Sequence, residues 1–223
     1  MKRNLRVGER YVLSKHKPKQ KTIRYVSLLA VLTSMCLYAV KQVSAQAAEP
    51  AATAVADIKP LQIGEVIPEW LWQLPLPIVS YPPTGGRDTL TLNDHRGKLI
   101  ILDFWATWCT SCLKKFPDIA KYNEQFADSL MILLVNTRRT RDDLPKIERV
   151  LAQRGSTLTS IVNDEVLGQL FPIHMLPYQV WIDDQGRLRA FTFNEFFTPE
   201  TISAGINRIN TLKSRRQKWK RQK

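Results

Sequence analysis

Two cysteines, Cys109 and Cys112, stand three residues apart in W-C-T-S-C, directly ahead of a stretch with helical periodicity. At the start of a helix this spacing puts both thiols on one face, close enough to form a disulfide. The first sulfur lies beside the unpaired N–H groups of the opening turn, whose partial positive charge favours a thiolate. The second lies deeper and is better shielded. Cys109 is therefore the expected attacking thiol and Cys112 the resolving one: attack on a substrate disulfide leaves a mixed disulfide on Cys109, which Cys112 breaks. Zinc sites use the same spacing but need two further ligands, and besides Cys36 in an apolar leader the sequence adds only His16, His95 and His174. No metal or cofactor is expected. An inert structural disulfide stays open as an alternative at this point.

The segment D-F-W-A-T-W-C-T-S-C, from Asp103 to Cys112, resembles the active-site segment of thioredoxins and most closely that of the exported TlpA/ResA-like branch. Pro117 stands where that family kinks its active-site helix, and Leu176-Pro177 where it carries a cis-proline. The resemblance covers residues 85–212 and implies an α/β, thioredoxin-like fold with a mixed central sheet flanked by helices. It implies thiol–disulfide exchange with protein substrates. The departure is Thr110-Ser111 between the cysteines; that dipeptide influences thiolate stability, so the direction of electron flow is open, with a reductase favoured.

Each matching residue then has an expected task. Asp103, six residues before Cys109, is a buried carboxyl that exchanges a proton with Cys112 as the resemblance implies, or else a capping acid. Pro177, which has no N–H, leaves the backbone at Leu176 free to pair with an extended substrate segment. Trp108 is a flat rim for substrate or plain packing against the helix start. Trp105, Phe104 and Phe116 are expected in the core, His174, three residues before Pro177, on the surface or in packing with tuning of the site as its functional reading, and Lys114 and Lys115 on a solvated face.

The surrounding pattern supplies elements that hold these residues. Leu99–Leu102 is a continuous apolar run followed by Asp103, which predicts a strand buried on both faces. A helix is expected over Thr110–Phe126, a strand over Met131–Val135, a helix over Leu144–Leu151 and a short strand over Leu158–Val162. Tyr178–Ile182 and Leu188–Phe193 flank D-D-Q-G, a hairpin signal, and Pro199–Leu212 closes as a helix. Residues 48–84 read as linker and lead-in. Trp70 and Trp72 lie there among prolines that suggest an edge or irregular segment packed on the domain as a hydrophobic lid, and Gly85-Gly86 read as a turn.

The formal charge of +13 is terminal: residues 1–47 carry +9, residues 213–223 carry +7, and the body between them −3. A nucleic-acid-binding body is thereby disfavoured. Residues 1–47 combine a basic start, an apolar stretch from Tyr25 to Val40 and Ala45-Gln46-Ala47, the features of a cleaved export signal. An uncleaved anchor is the alternative, although sixteen residues reach only about 24 Å as a helix, against a hydrocarbon core of roughly 30 Å. Met35 before Cys36 argues against lipidation. The expected setting is a bacterial envelope, periplasmic or outward-facing and membrane-anchored, with a membrane thiol donor and protein disulfide or dithiol partners. The basic tail 213–223 is expected as a solvated, disordered end, with contact to anionic lipid as its functional reading. Two rival functions are a thioredoxin-fold binding module without turnover and a thiol peroxidase. The latter needs a P-x-x-x-T/S-x-x-C segment, and D-F-W-A-T-W before Cys109 has no such proline.

Overall fold

A computed structural model describes residues 58–83, 88–154 and 157–222. The chain divides into units 1–49 and 50–223, and everything described belongs to the second. The leader with Cys36 and the Gly85-Gly86 turn lie outside the described residues.

The elements run α1 (Glu69–Gln73), β1 (Leu76–Tyr81), β2 (Thr89–Leu90), β3 (Leu99–Phe104), α2 (Thr110–Lys114), α3 (Phe116–Gln125), β4 (Leu130–Thr137), α4 (Leu144–Gln153), β5 (Leu158–Asp164), α5 (Leu167–Leu170), β6 (Tyr178–Ile182), β7 (Leu188–Thr192) and α6 (Pro199–Arg221). The strands form one seven-stranded sheet in the order β2-β1-β5-β4-β3-β6-β7. Strands β3, β4 and β5 are parallel, which requires crossover helices between them, while β1, β6 and β7 join antiparallel.

All six residues of β3 are buried, as a central strand covered on both faces requires. Its side chains alternate between two cores. Leu99, Ile101 and the following Trp105 join Phe116, Ile119, Ile202 and Ile206 on one side. Ile100, Leu102 and Phe104 join Leu71, Trp72, Leu133 and Phe171 on the other. Asp103 shares the parity of the first set. The sheet register therefore turns its carboxyl toward the core side that holds α2 and both cysteines.

Four expectations change. The helix expected over Thr110–Phe126 is two helices, with Lys115 between them and Pro117 in the first turn of the second. Proline has no N–H and its ring crowds the carbonyl four residues earlier, so the ladder breaks there. Trp70 and Trp72 lie in the short helix α1 rather than an irregular edge. Trp72 is buried under the β6–β7 hairpin, where Gly186 has φ +75° and an added Cβ would stand 2.7 Å from the Trp72 ring. The lead-in also contributes a strand, since Ile78–Tyr81 pair with β5 and extend the sheet ahead of residue 85. The basic tail continues α6 as helix to Arg221, with Arg216 paired to Asp184. Basic side chains in a last turn complement the negative end of a helix, which favours this extension. No helix among the described residues is long and apolar enough to cross a membrane.

Candidate active site

Cys109 is the N-cap of α2 and forms a disulfide with Cys112, with Cα atoms 5.3 Å apart. The Cys112 N–H donates to the Cys109 sulfur at 3.3 Å. The Ser111 hydroxyl lies 3.5 Å from the same sulfur. Cys109 is 6% exposed and Cys112 fully buried, while Trp108 beside them is 62% exposed. This gives the two sulfurs unequal access, the outer one reachable and the inner one shielded. Trp108 Nε1 reaches the Thr140 carbonyl at 3.4 Å, so the exposed ring is tethered at one edge.

The approach to Cys109 is pinned from outside the motif. Asp142 accepts from the Thr107 N–H at 2.7 Å and from the Thr107 hydroxyl, and Asn136 Nδ2 donates to the same carboxylate at 2.8 Å. Neither Asp142 nor Asn136 carries a sequence signal that marks it for this task. Trp105 is fully buried as expected, its indole N–H donating to Ser160 Oγ at 2.9 Å, with Phe116 packed edge-on at 5.1 Å.

Asp103 is fully buried. Lys114 is exposed as expected, but Lys115 is 6% exposed and turns inward. Its Nζ donates to Asp103 Oδ1 at 3.1 Å and stands 3.0 Å from Oδ2. This corrects the solvated reading of Lys115. The break after α2 turns the chain there, and the buried Asp103 carboxyl supplies the charged partner a buried ammonium requires. Lys115 follows Cys112 by three residues, so the two lie on the same helical face. Gln179, opposite Asp103 in the β3–β6 ladder, donates from Nε2 to Oδ1 at 3.0 Å. Burial raises the Asp103 carboxyl above its ordinary value, while the Lys115 charge and the hydrogen bonds from Gln179 and Lys115 pull it back without cancelling the rise. The sequence singled out neither Lys115 nor Gln179, because a lysine on a helix and a glutamine on a strand read as solvent-facing until the register is known.

Leu176-Pro177 is a cis peptide at the entry to β6, with Pro177 buried and Leu176 half-buried. A cavity of about 220 Å³ opens next to it, lined among others by Phe104, Trp105, Trp108, Arg139, Met175 and Leu176. His174 is exposed on its wall. Trp108, the residue before Cys109, and Leu176, far apart in sequence, are thus brought to one hollow. Among the described residues no group of three or more His, Cys, Asp or Glu gathers as metal ligands would.

The model of the AhpC/TSA family matches residues 64–191. The thioredoxin-like protein YneN of Bacillus subtilis (strain 168) is 24% identical over 96 residues, 43% of this chain and 56% of its own length. The thiol:disulfide interchange protein DsbE of Pseudomonas fluorescens biotype C is 31% identical over 117 residues, 52% of this chain and 62% of its own length. The chain thus spans about six-tenths of the length of these curated relatives. The crystal structure of a putative thiol:disulfide interchange protein DsbE from Chlorobium tepidum matches with a TM-score of 0.52 at 22% identity, over 66% of this chain and 99% of that one. With the mixed seven-stranded sheet, this likeness shows the thioredoxin-like fold. The Cys109–Cys112 pair fits the C-x-x-C pattern.

Proposed function

The chain belongs to the AhpC/TSA family, and on that footing we propose that it is a thiol–disulfide oxidoreductase acting on protein disulfides, as a reductase in the direction that matters. The observation that carries this reading is the unequal cysteine pair at the start of α2, with a buried carboxyl reached from the next helical turn. In the dithiol form the Cys109 thiolate attacks a substrate disulfide, and the first substrate sulfur leaves. Cys112 then gives its proton to Asp103 and attacks the Cys109 sulfur, closing the protein disulfide and releasing the second substrate sulfur. Two electrons pass from protein to substrate. The raised carboxyl of Asp103 supports its place as proton acceptor for a buried thiol, since its proton affinity lies closer to that of a thiol than an exposed carboxylate's does.

Trp108, Leu176 and Pro177 would seat the substrate segment. The cavity beside them is mainly apolar with Arg139 at its rim, which suits a side chain flanking the target cysteine. The sequence features of residues 1–47 support export to the envelope, where a membrane thiol donor would return the pair to the dithiol. The helical, basic end of α6, from Lys213 to Arg221, is the part suited to anionic lipid.

The test is the reduction potential of the Cys109–Cys112 pair, read by thiol trapping and mass across defined redox buffers. A value of roughly −250 mV or lower identifies a reductase, and one near about −120 mV an oxidant. Failure to form a reversible disulfide would remove the oxidoreductase reading and leave a binding module. Consumption of peroxide by the dithiol form would turn it into a thiol peroxidase.

A further inference from the structure

The strand register sets a single row of side chains across the sheet. Leu134 pairs with Asp103, Asp103 with Gln179, and Gln179 with Thr192, across β4, β3, β6 and β7. Side chains directly opposite one another share a face, so the row lies on the same side of the sheet as α2. Trp181, two residues along β6 from Gln179, shares it. The Trp181 indole N–H donates to Thr192 Oγ1 at 2.7 Å, Thr192 Oγ1 donates to Gln179 Oε1 at 3.2 Å, and Gln179 Nε2 donates to Asp103 Oδ1 at 3.0 Å.

The direction of this chain is set at its far end. An indole N–H can only donate, so it takes a lone pair of the Thr192 hydroxyl and leaves that hydroxyl's hydrogen to the amide oxygen of Gln179. The amide is thereby turned with its NH₂ toward Asp103. Lys115 Nζ donates to the same oxygen, Oδ1, at 3.1 Å. Asp103 Oδ1 thus receives two donors, whereas Oδ2 is buried and has no hydrogen bond, only the ammonium 3.0 Å away.

We propose that Gln179 and Thr192 are positioning residues that confine the proton exchanged between Cys112 and Asp103 to a single carboxyl oxygen, Oδ2. The proposal rests on the reading of Asp103 as proton acceptor. The ammonium stands about equally far from both oxygens and does not choose between them, whereas a proton on Oδ1 would set an acid O–H against the Gln179 amide N–H, two donors meeting head-on. Turning the amide over to relieve this would face its NH₂ to Thr192 and strand the hydroxyl hydrogen. When Cys112 closes the protein disulfide, its S–H proton moves to Oδ2 and its freed electron pair makes the bond to the Cys109 sulfur. The bond from Cys109 to the substrate sulfur breaks, and that sulfur leaves with its pair. Lys115 is the charged group facing the carboxyl among the described residues, and Cys112 is the titratable group on the same helix face. The adjacent strands contribute uncharged Leu134 and Gln179, and Phe197 packs its ring 4.8 Å from Lys115 Nζ.

The experiment follows the side-chain carboxyl carbon of Asp103 by NMR through a pH titration of the dithiol form of the full chain, with the pH profile of disulfide exchange alongside. Thr192 is half-buried and Thr192→Val keeps its shape, so the change reads on the hydrogen bond. A donated hydrogen bond favours the carboxylate, so weakening it raises the Asp103 midpoint, by about one pH unit. The acid limb of the exchange profile should move up by the same interval, and Thr192→Ser should bring both back. An unmoved midpoint in Thr192→Val overturns the proposal, as does an equal shift in Thr192→Ser, which would mark a packing effect. Wild-type exchange in Asp103→Asn instead overturns the relay on which the proposal rests. The two failures are distinguishable because the midpoint is read without turnover.

Discussion

The sheet carries two buried aspartates near strand ends, Asp103 on β3 and Asp164 on β5, and burial raises the carboxyls of both. Their surroundings differ in kind. Asp164 accepts the Leu167 N–H on Oδ1 and the Gly168 N–H on Oδ2, each at 2.9 Å, at the start of α5. Both of its oxygens are held by backbone donors that cannot move without unwinding the helix. Asp103 is held by two side chains, both on one oxygen, and its other oxygen accepts no hydrogen bond. Burial alone therefore does not mark a carboxyl for chemistry. What separates the two is an oxygen met only by the Lys115 ammonium and partners that can adjust, against a full set of fixed backbone donors. The capping role that the sequence left open for Asp103 belongs in the structure to Asp164.

The contrast can be broken or sharpened by substitution. The largest effect is expected from Cys112→Ser, which should abolish turnover and trap substrate as a mixed disulfide on Cys109, visible as an added mass. In that background Asp103→Asn should have no further effect on trapping, because no Cys112 proton remains to be moved. In the otherwise native chain Asp103→Asn should slow exchange near neutral pH by about a hundredfold, measured as single-turnover reduction of a protein disulfide. An unchanged rate would reduce Asp103 to the structural class of Asp164.

A smaller and pH-dependent loss is expected from Lys115→Met. Removing the ammonium leaves burial less opposed, so the Asp103 carboxyl rises further, and exchange on the acid side of the profile should fall about tenfold. The sign for stability follows from linkage. A carboxyl raised in the folded state contributes stability that is fully present below its unfolded value and lost as pH rises through its folded value. Urea denaturation of Lys115→Met should therefore show its greatest loss relative to wild type at the alkaline end of the range. A loss independent of pH would point to packing rather than to the ion pair. The smallest effect on chemistry is expected from Asp164→Ala. It should cost about 1–2 kcal/mol of stability through the lost cap while leaving exchange unchanged. A fall in exchange rate there would erase the distinction between the two acids.

Much of the fold was legible in one dimension. The apolar run Leu99–Leu102, the hairpin around Asp183-Asp184-Gln185-Gly186 and the helix from Pro199 each announce themselves by period, turn chemistry or a proline at the first helical position. The lead-in misled because the Pro-rich surroundings of α1 and β1 look alike locally. Only contact with β5 and the β6–β7 hairpin decides that one segment is a strand and the other a helix. Lys115 was misread for a related reason: charge predicts exposure unless a partner waits inside, and that partner sits twelve residues earlier on another element.

The sequence by itself determined the close cysteine pair, since three-residue spacing at a helix start brings Cys109 and Cys112 within bridging distance. It also determined the alternation of β3, because a period of two assigns each side chain to a face once the strand exists. Tertiary structure alone decided what Asp103 meets. Its partners come from a broken helix, from the neighbouring strand β6 and, through Gln179, from the edge strand β7. A carboxyl's proton affinity depends on charges and donors within a few ångströms, and those neighbours are chosen by packing and register rather than by adjacency in the chain.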